Sequence, residues 1–134
     1  MNEALFDTDT ISFFLRSVPN VVAEADKYLK FHKGFTFSVI TNFEIIRGLK
    51  IKNAQRQLTK FGLIRLQSRE INLTDKIIVR AADIYADLYK RGSLVGDADI
   101  LIAATALENN LPIITNNERH FERITGLQIL NWNK

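Results

Sequence analysis

The sequence predicts an α/β domain on a mainly parallel sheet, and three observations carry that prediction. Short apolar runs, at Glu3 to Phe6, Phe35 to Ile40 and Leu111 to Thr115, read as buried strands. Between them lie segments whose apolar residues recur at helical spacing. Strands that alternate with helices pair in parallel, because the helices provide the crossovers. The 134 residues suit one domain, residues 1–134, and 46% hydrophobic with 25% charged composition is enough for a core.

Each element follows in order. Glu3 to Phe6 is a short strand ending at Asp7, and Thr8 to Arg16 a helical turn stopped before Pro19. Asn20 to Phe31 places Val21, Val22, Ala25, Tyr28 and Leu29 at helical spacing. Phe35 to Ile40, aromatic and β-branched, is the second strand. Helices follow from about Asn42 to Ile51 and from Ala54 to about Leu63, then a short strand from Arg69 to Leu73. Thr74 caps a long helix with Ile77, Ile78, Ala81, Ile84, Tyr85 and Leu88 on one side, ending near Gly92. A helix opens at Asp97 or its neighbour and runs to about Glu108; Leu111 to Thr115 and Gln128 to Asn131 are the last strands.

Composition narrows the chemistry. The chain has no cysteine, so disulfides and Cys-based zinc sites are excluded and a reducing, cytoplasmic setting is expected. The first residues lack a basic segment before an apolar run, so no signal peptide is expected. No apolar stretch approaches the ~20 residues a membrane span needs, and no membrane partner is expected. A net charge of +3 permits nucleic acid as a partner without requiring it.

In parallel α/β sheets, sites form beyond the carboxyl ends of the strands. Asp7 and Asn116-Asn117 sit at two such ends. Three acidic positions adjoin apolar segments: Asp7, then Glu44 in Phe43-Glu44-Ile45-Ile46, then Asp97 and Asp99 before Ile100-Leu101-Ile102-Ala103-Ala104. Carboxylates among buried residues need a partner. Two of them ~4 Å apart repel by roughly 4 kcal/mol at an effective dielectric of about 20, so a converging set calls for a cation. Oxygen ligands without His or Cys favour Mg²⁺, with Mn²⁺ as a substitute. Such a set suits metal-assisted phosphodiester hydrolysis. Each residue also has a structural reading. Thr41-Asn42-Phe43-Glu44 matches a capping box with Glu44 reaching back to the Thr41 amide; Asp97 or Asp99 caps the next helix; Asp7 and Asp9 close a turn.

Together the motifs resemble a known family. Leu5-Phe6-Asp7-Thr8-Asp9-Thr10-Ile11 is similar to the opening motif of VapC-type PIN-domain toxins. Ser38-Val39-Ile40-Thr41-Asn42-Phe43-Glu44-Ile45-Ile46-Arg47-Gly48-Leu49 resembles the second motif, and Gly96-Asp97-Ala98-Asp99-Ile100-Leu101-Ile102-Ala103-Ala104 the third. Ile113-Ile114-Thr115-Asn116-Asn117-Glu118-Arg119-His120-Phe121 resembles the fourth, followed by Gly126-Leu127 and Trp132. The resemblance implies a three-layer α/β/α sandwich and a metal-dependent endoribonuclease, often acting on tRNA or rRNA. It implies a homodimer silenced by a cognate antitoxin, VapB-like or another small DNA-binding protein. Asp7, Glu44 and Asp99 match the family's acidic catalytic and metal-binding positions; Asp97, Asn117, Thr115 and Asp9 match supporting ones. The chain departs at His120, where many members carry Asp, so the fourth acid is missing.

From Ile45 to Arg69 every charged residue is basic: Arg47, Lys50, Lys52, Arg56, Lys60, Arg65 and Arg69. The run reads as a solvated helix face or as a phosphate-contacting rim, with Arg47 and Lys50 the candidates for RNA. Ile51, Leu58, Phe61 and Leu63 in the same stretch either bury inward or line a groove for an amphipathic antitoxin helix. Two rivals stand beside the nuclease: a binding module without catalysis, and a receiver-like phosphoacceptor. The latter needs a Lys at the end of a late strand, and Leu111 to Asn117 has none.

Overall fold

The structure, a computed structural model, describes residues 2–134. In chain order its elements are β1 (Leu5–Phe6), α1 (Thr8–Leu15), α2 (Pro19–Tyr28), β2 (Thr36–Ser38), α3 (Val39–Ile51) and α4 (Gln55–Gln67). They continue with β3 (Arg69–Ile71), α5 (Asp75–Lys90), α6 (Asp97–Glu108), β4 (Ile113–Ile114), α7 (Glu118–Phe121) and β5 (Ile129–Leu130).

The strands form one sheet in the order β3-β2-β1-β4-β5, and each neighbouring pair is parallel. The first strand therefore lies at the centre, with Leu5 opposite Thr36 on one side and opposite Ile113 on the other. Side chains alternate across a strand. Leu5 and Ile113 point into one core with Ile77, Ile84 and Leu88 of α5 and Ile100, Ile102 and Ala103 of α6. Phe6 and Ile114 point into the other, with Ile11 and Leu15 of α1, Tyr28 of α2, Ile45 and Leu49 of α3 and Phe61 of α4. Helices thus cover both faces, giving a three-layer α/β/α sandwich. The second core is aromatic: Phe6 stands edge-on to Tyr28, Phe35 and Trp132 with ring centroids 4.8–5.0 Å apart.

Several boundaries differ from the sequence expectation. The second strand stops at Ser38, not Ile40, because the Ser38 hydroxyl accepts the Ile40 N–H at 3.0 Å and starts α3 there. Val39 and Ile40 thus spend their β propensity inside a helix. Helix α2 starts on Pro19, whose fixed φ suits the first helical position, and ends at Tyr28. Residues after it fold back, with the Phe31 and His32 N–H groups both donating to the Tyr28 carbonyl. Helix α4 passes Leu63 and runs to Gln67, where the Ser68 hydroxyl donates to the Ile64 carbonyl at 2.7 Å. In α5, Thr74 is the cap as expected, accepting the Ile77 N–H at 3.2 Å. Ile77, Ala81, Ile84 and Leu88 are buried, whereas Ile78 and Tyr85 turn out to solvent. The short α7 was not expected from the sequence at all.

Candidate active site

The parallel pairing of β1 with β4 brings their carboxyl ends side by side: the Asp7 N–H donates to the Ile114 carbonyl at 2.9 Å. Asp7 follows the strand in extended conformation and is the N-cap of α1. It is only 3% exposed. Its Oδ1 accepts the Thr8 N–H at 2.8 Å and its Oδ2 accepts the Thr115 hydroxyl at 2.7 Å. Burial pushes its carboxyl up to about 8, the nearby Asp9 charge adds to this and Asp99 contributes further, while the Thr115 and Thr8 hydrogen bonds oppose the rise. Asp9 is raised as well, first by burial, against the N–H of Asn116 that donates to its Oδ2 at 3.0 Å.

Thr115 is the hinge of this half of the site. Its hydroxyl accepts the Asn117 N–H at 3.0 Å and gives its one proton to Asp7 at 2.7 Å, the Asp9 oxygen standing farther off at 3.4 Å. The Asn117 side chain itself is exposed, so that residue serves the site through its backbone. The neighbouring Asn116 has both amide atoms of its side chain buried without a protein hydrogen-bond partner.

Glu44 comes from the second core layer. Its Oε1 accepts the Thr8 hydroxyl at 2.6 Å, and its Oε2 lies 3.7 Å from an Arg47 guanidinium nitrogen. The capping-box reading of Glu44 does not hold. Ser38 caps α3, so Thr41 is the third residue of the helix and not its cap; it is fully buried, with its hydroxyl 3.2 Å from that of Thr8. Glu44 sits in the second turn, on the side of α3 that faces the start of α1. Asp99 occupies the first turn of α6, whose N-cap is Gly96, so neither Asp97 nor Asp99 caps that helix with a side chain. The Oδ2 of Asp99 is 2.8 Å from His120 Nδ1. Asp97 is exposed and shows no hydrogen bond to the cluster among the described residues.

The structure therefore gathers Asp7, Asp9, Glu44, Asp99 and Thr115 at one end of the sheet and leaves Asp97 at the margin. Sequence reading missed Thr8, which links two acidic residues, the buried amide of Asn116, and the contact of His120 with Asp99. Among the described residues no three acidic or His side chains close on one point; hydroxyls meet Asp7 and Glu44, and the imidazole meets Asp99. The donor set still fits a hard divalent cation: several carboxylates share one corner, one of them is pushed to about 8 by burial first and by its acidic neighbours second, and the nearest guanidinium is 3.7 Å from Glu44 alone. Beside the acids, a cleft of about 270 Å³ runs between α1 and α3, lined by Asp9, Glu44, Phe13, Arg16, Lys52 and Gln57.

The sequence profile of the PIN domain matches residues 4–127, nearly the whole chain. The chain belongs to the PIN-domain family. Its relatives place it among the VapC-type members. Ribonuclease VapC1 of Methanocaldococcus jannaschii is 38% identical over 98 residues, covering 72% of this chain and 70% of that protein. The tRNA(fMet)-specific endonuclease VapC of Salmonella typhimurium is 29% identical over 98% of this chain and 99% of its own length. The crystal structure of DNA-bound VapBC from Salmonella typhimurium superposes with a TM-score of 0.85 at 30% identity, covering 98% of this chain and 99% of that one. In this PIN domain no helix among the described residues is long and apolar enough to cross a membrane.

The basic stretch of the chain divides by partner. Arg65 lies 3.6 Å from Glu70 and Arg69 2.9 Å from Glu3, so these two serve the sheet edge. Arg47 stacks over the exposed Phe43 ring at 5.0 Å while facing Glu44, and Lys50 is exposed one turn on. Of the apolar residues in the stretch, Phe61 is buried and Leu58 half-buried; Ile51 and Leu63 remain exposed.

Proposed function

We propose that this VapC-type chain is the toxin of a toxin–antitoxin pair, a Mg²⁺-dependent endoribonuclease that hydrolyses RNA phosphodiesters and thereby inhibits translation. The observation that carries this reading is the buried Asp7 carboxylate, held between Thr8 and Thr115 with Asp9 and Asp99 close enough to raise its proton affinity. Asp7, Asp99 and Glu44 would hold Mg²⁺, or Mn²⁺ in its place. Bound there, such a cation polarises the phosphodiester and lowers the pKa of an attacking water. Glu44 is placed to accept a proton from that water, because the Thr8 hydroxyl fixes one of its oxygens and it lines the open cleft. Thr115 and the backbone of Asn117 keep Asp7 oriented. Arg47 and Lys50 contact the RNA backbone beside the site. The substrate class is tRNA or another structured RNA, in the cytoplasm, and the functional form is a homodimer.

The partner is a cognate antitoxin. An apolar groove of about 370 Å³, with Phe14, Leu29, Phe35 and Leu63 as its walls and Lys33 and Lys60 at its rim, suits an amphipathic helix with acidic flanks. The test is direct. The purified chain cleaves tRNA with Mg²⁺ or Mn²⁺ and stops in EDTA, and its expression arrests growth until a neighbouring antitoxin is co-expressed. Undiminished cleavage in EDTA overturns the metal reading.

A further inference from the structure

We propose that His120 is a positioning residue: it fixes the Asp99 carboxylate for cation binding. This rests on the metal reading above. His120 is the third residue of α7, and that short helix is held in place by the fully buried Phe121 and by the Asn131 side-chain amide, which donates to Glu118 Oε2 at 2.8 Å. The imidazole is half-exposed, yet its Nδ1 is directed at Asp99 Oδ2 across a distance of 2.8 Å. That is the length of a charge-assisted hydrogen bond, in which Nδ1–H donates to the carboxylate. The contact joins α7 to the start of α6, across the intervening strand β4, so it is part of the tertiary arrangement and not a local turn.

The consequence is specific. Asp7 and Asp9 receive hydrogen bonds from Thr8, Thr115 and the Asn116 backbone, and Glu44 receives one from Thr8. Asp99 stands on a helix first turn, and among the described residues the one side chain that pairs with it is His120. Without that donor the carboxylate is free to rotate away from its acidic neighbours. With it, one oxygen and the plane of the group are set. Hydrogen-bond partners that orient metal ligands in this way typically matter 10–100-fold for metal affinity.

The test uses Mn²⁺ binding to the full chain without RNA, followed by titration calorimetry and by the Mn²⁺ paramagnetic resonance signal. His120→Asn keeps an N–H donor close to the Nδ1 position; His120→Gln extends it to the reach of Nε2; His120→Ala removes it. Positioning through Nδ1 predicts that Ala weakens Mn²⁺ binding about 10–100-fold and that Asn restores it to within about 3-fold of the wild type, with Gln not doing so. Rescue by Gln but not Asn overturns the proposal in favour of direct ligation through Nε2. Equal binding by wild type and Ala overturns it outright while leaving the metal reading intact. Absence of Mn²⁺ binding by the wild type overturns both. If the Ala variant does not fold, judged by circular dichroism, the Asn and Gln pair decides alone.

Discussion

Asp7 and Glu44 are carboxylates of one site held in opposite ways. Asp7 is locked at a strand end, 3% exposed, with its N–H in the sheet and both side-chain oxygens engaged within a few residues of two central strands. Glu44 projects from a helix, with its side chain 21% exposed, held by one hydroxyl and a 3.7 Å approach of Arg47. The first can reach neither water nor a position away from its acidic neighbours, so burial, and then their repulsion, appear as a raised proton affinity. The second adjoins a solvent-filled cleft and can turn. A site built this way has a fixed electrostatic floor and an adjustable wall. The floor suits holding a cation and the wall suits handling a water proton.

The largest test of that division is Asp7→Asn. Losing a charged ligand should cost several kcal/mol of transition-state stabilisation, roughly 10³-fold in RNA cleavage. Folding should improve where activity fails. An unfolded Asp ionises near pH 4, whereas folded Asp7 holds its proton to about 8. Across that window the folded state binds the extra proton, so wild-type stability falls as pH rises and is highest at the acidic end. Asn does not titrate, so in EDTA the Tm advantage of Asp7→Asn should grow from pH 5 to pH 8. A pH-independent difference would mean that the proton affinity of Asp7 is not raised as described. Asp99→Asn should lose cleavage on the same scale.

Glu44→Gln sharpens the other side. Gln still accepts the Thr8 hydroxyl, so thermal stability should stay near the wild-type value, while cleavage falls at least roughly 10²-fold if the carboxylate accepts a proton. A stable and fully active variant would confine the acidic chemistry to the strand half. Thr115→Val comes next. It leaves Asp7 Oδ2 and the Asn117 N–H without their partner, and a buried unsatisfied group costs about 1–3 kcal/mol, to be read as a fall of several degrees in Tm. The smallest effect belongs to Arg47→Ala. Its pairing with Glu44 is long and exposed, so stability should change by less than about 0.5 kcal/mol. RNA affinity should weaken modestly, with the salt dependence losing about one phosphate contact in slope.

The division between floor and wall also marks what could be read in the sequence. β1 and β4 were legible because apolar runs stop abruptly at Asp7 and at Thr115-Asn116, and strand ends are where parallel sheets place their chemistry. The long α5 was legible from Thr74 and the spacing of Ile77, Ala81, Ile84 and Leu88. The start of α3 was not, because Ser38 and Thr41 are both good caps and only the tertiary course of β2 selects the first. That choice decided whether Glu44 was a capping group or a site residue. The role of Thr8 required knowing that α1 and α3 are neighbours, and the contact of His120 with Asp99 required a helix of four residues that carries no periodic signal. Motif resemblance pointed to the acids and to Thr115; it did not say that Thr8 holds Glu44 or that His120 meets Asp99.

The central position of β1 has a consequence for timing. β1 is the first strand of the sheet in chain order, but one of its two neighbours, β4, begins only at Ile113. Until that segment has left the ribosome, Asp7 has neither the Ile114 carbonyl nor the Thr115 hydroxyl to hold it, and Asp99 lacks His120. Any message truncated before the fourth strand yields a product with the acidic residues present and no site assembled around them.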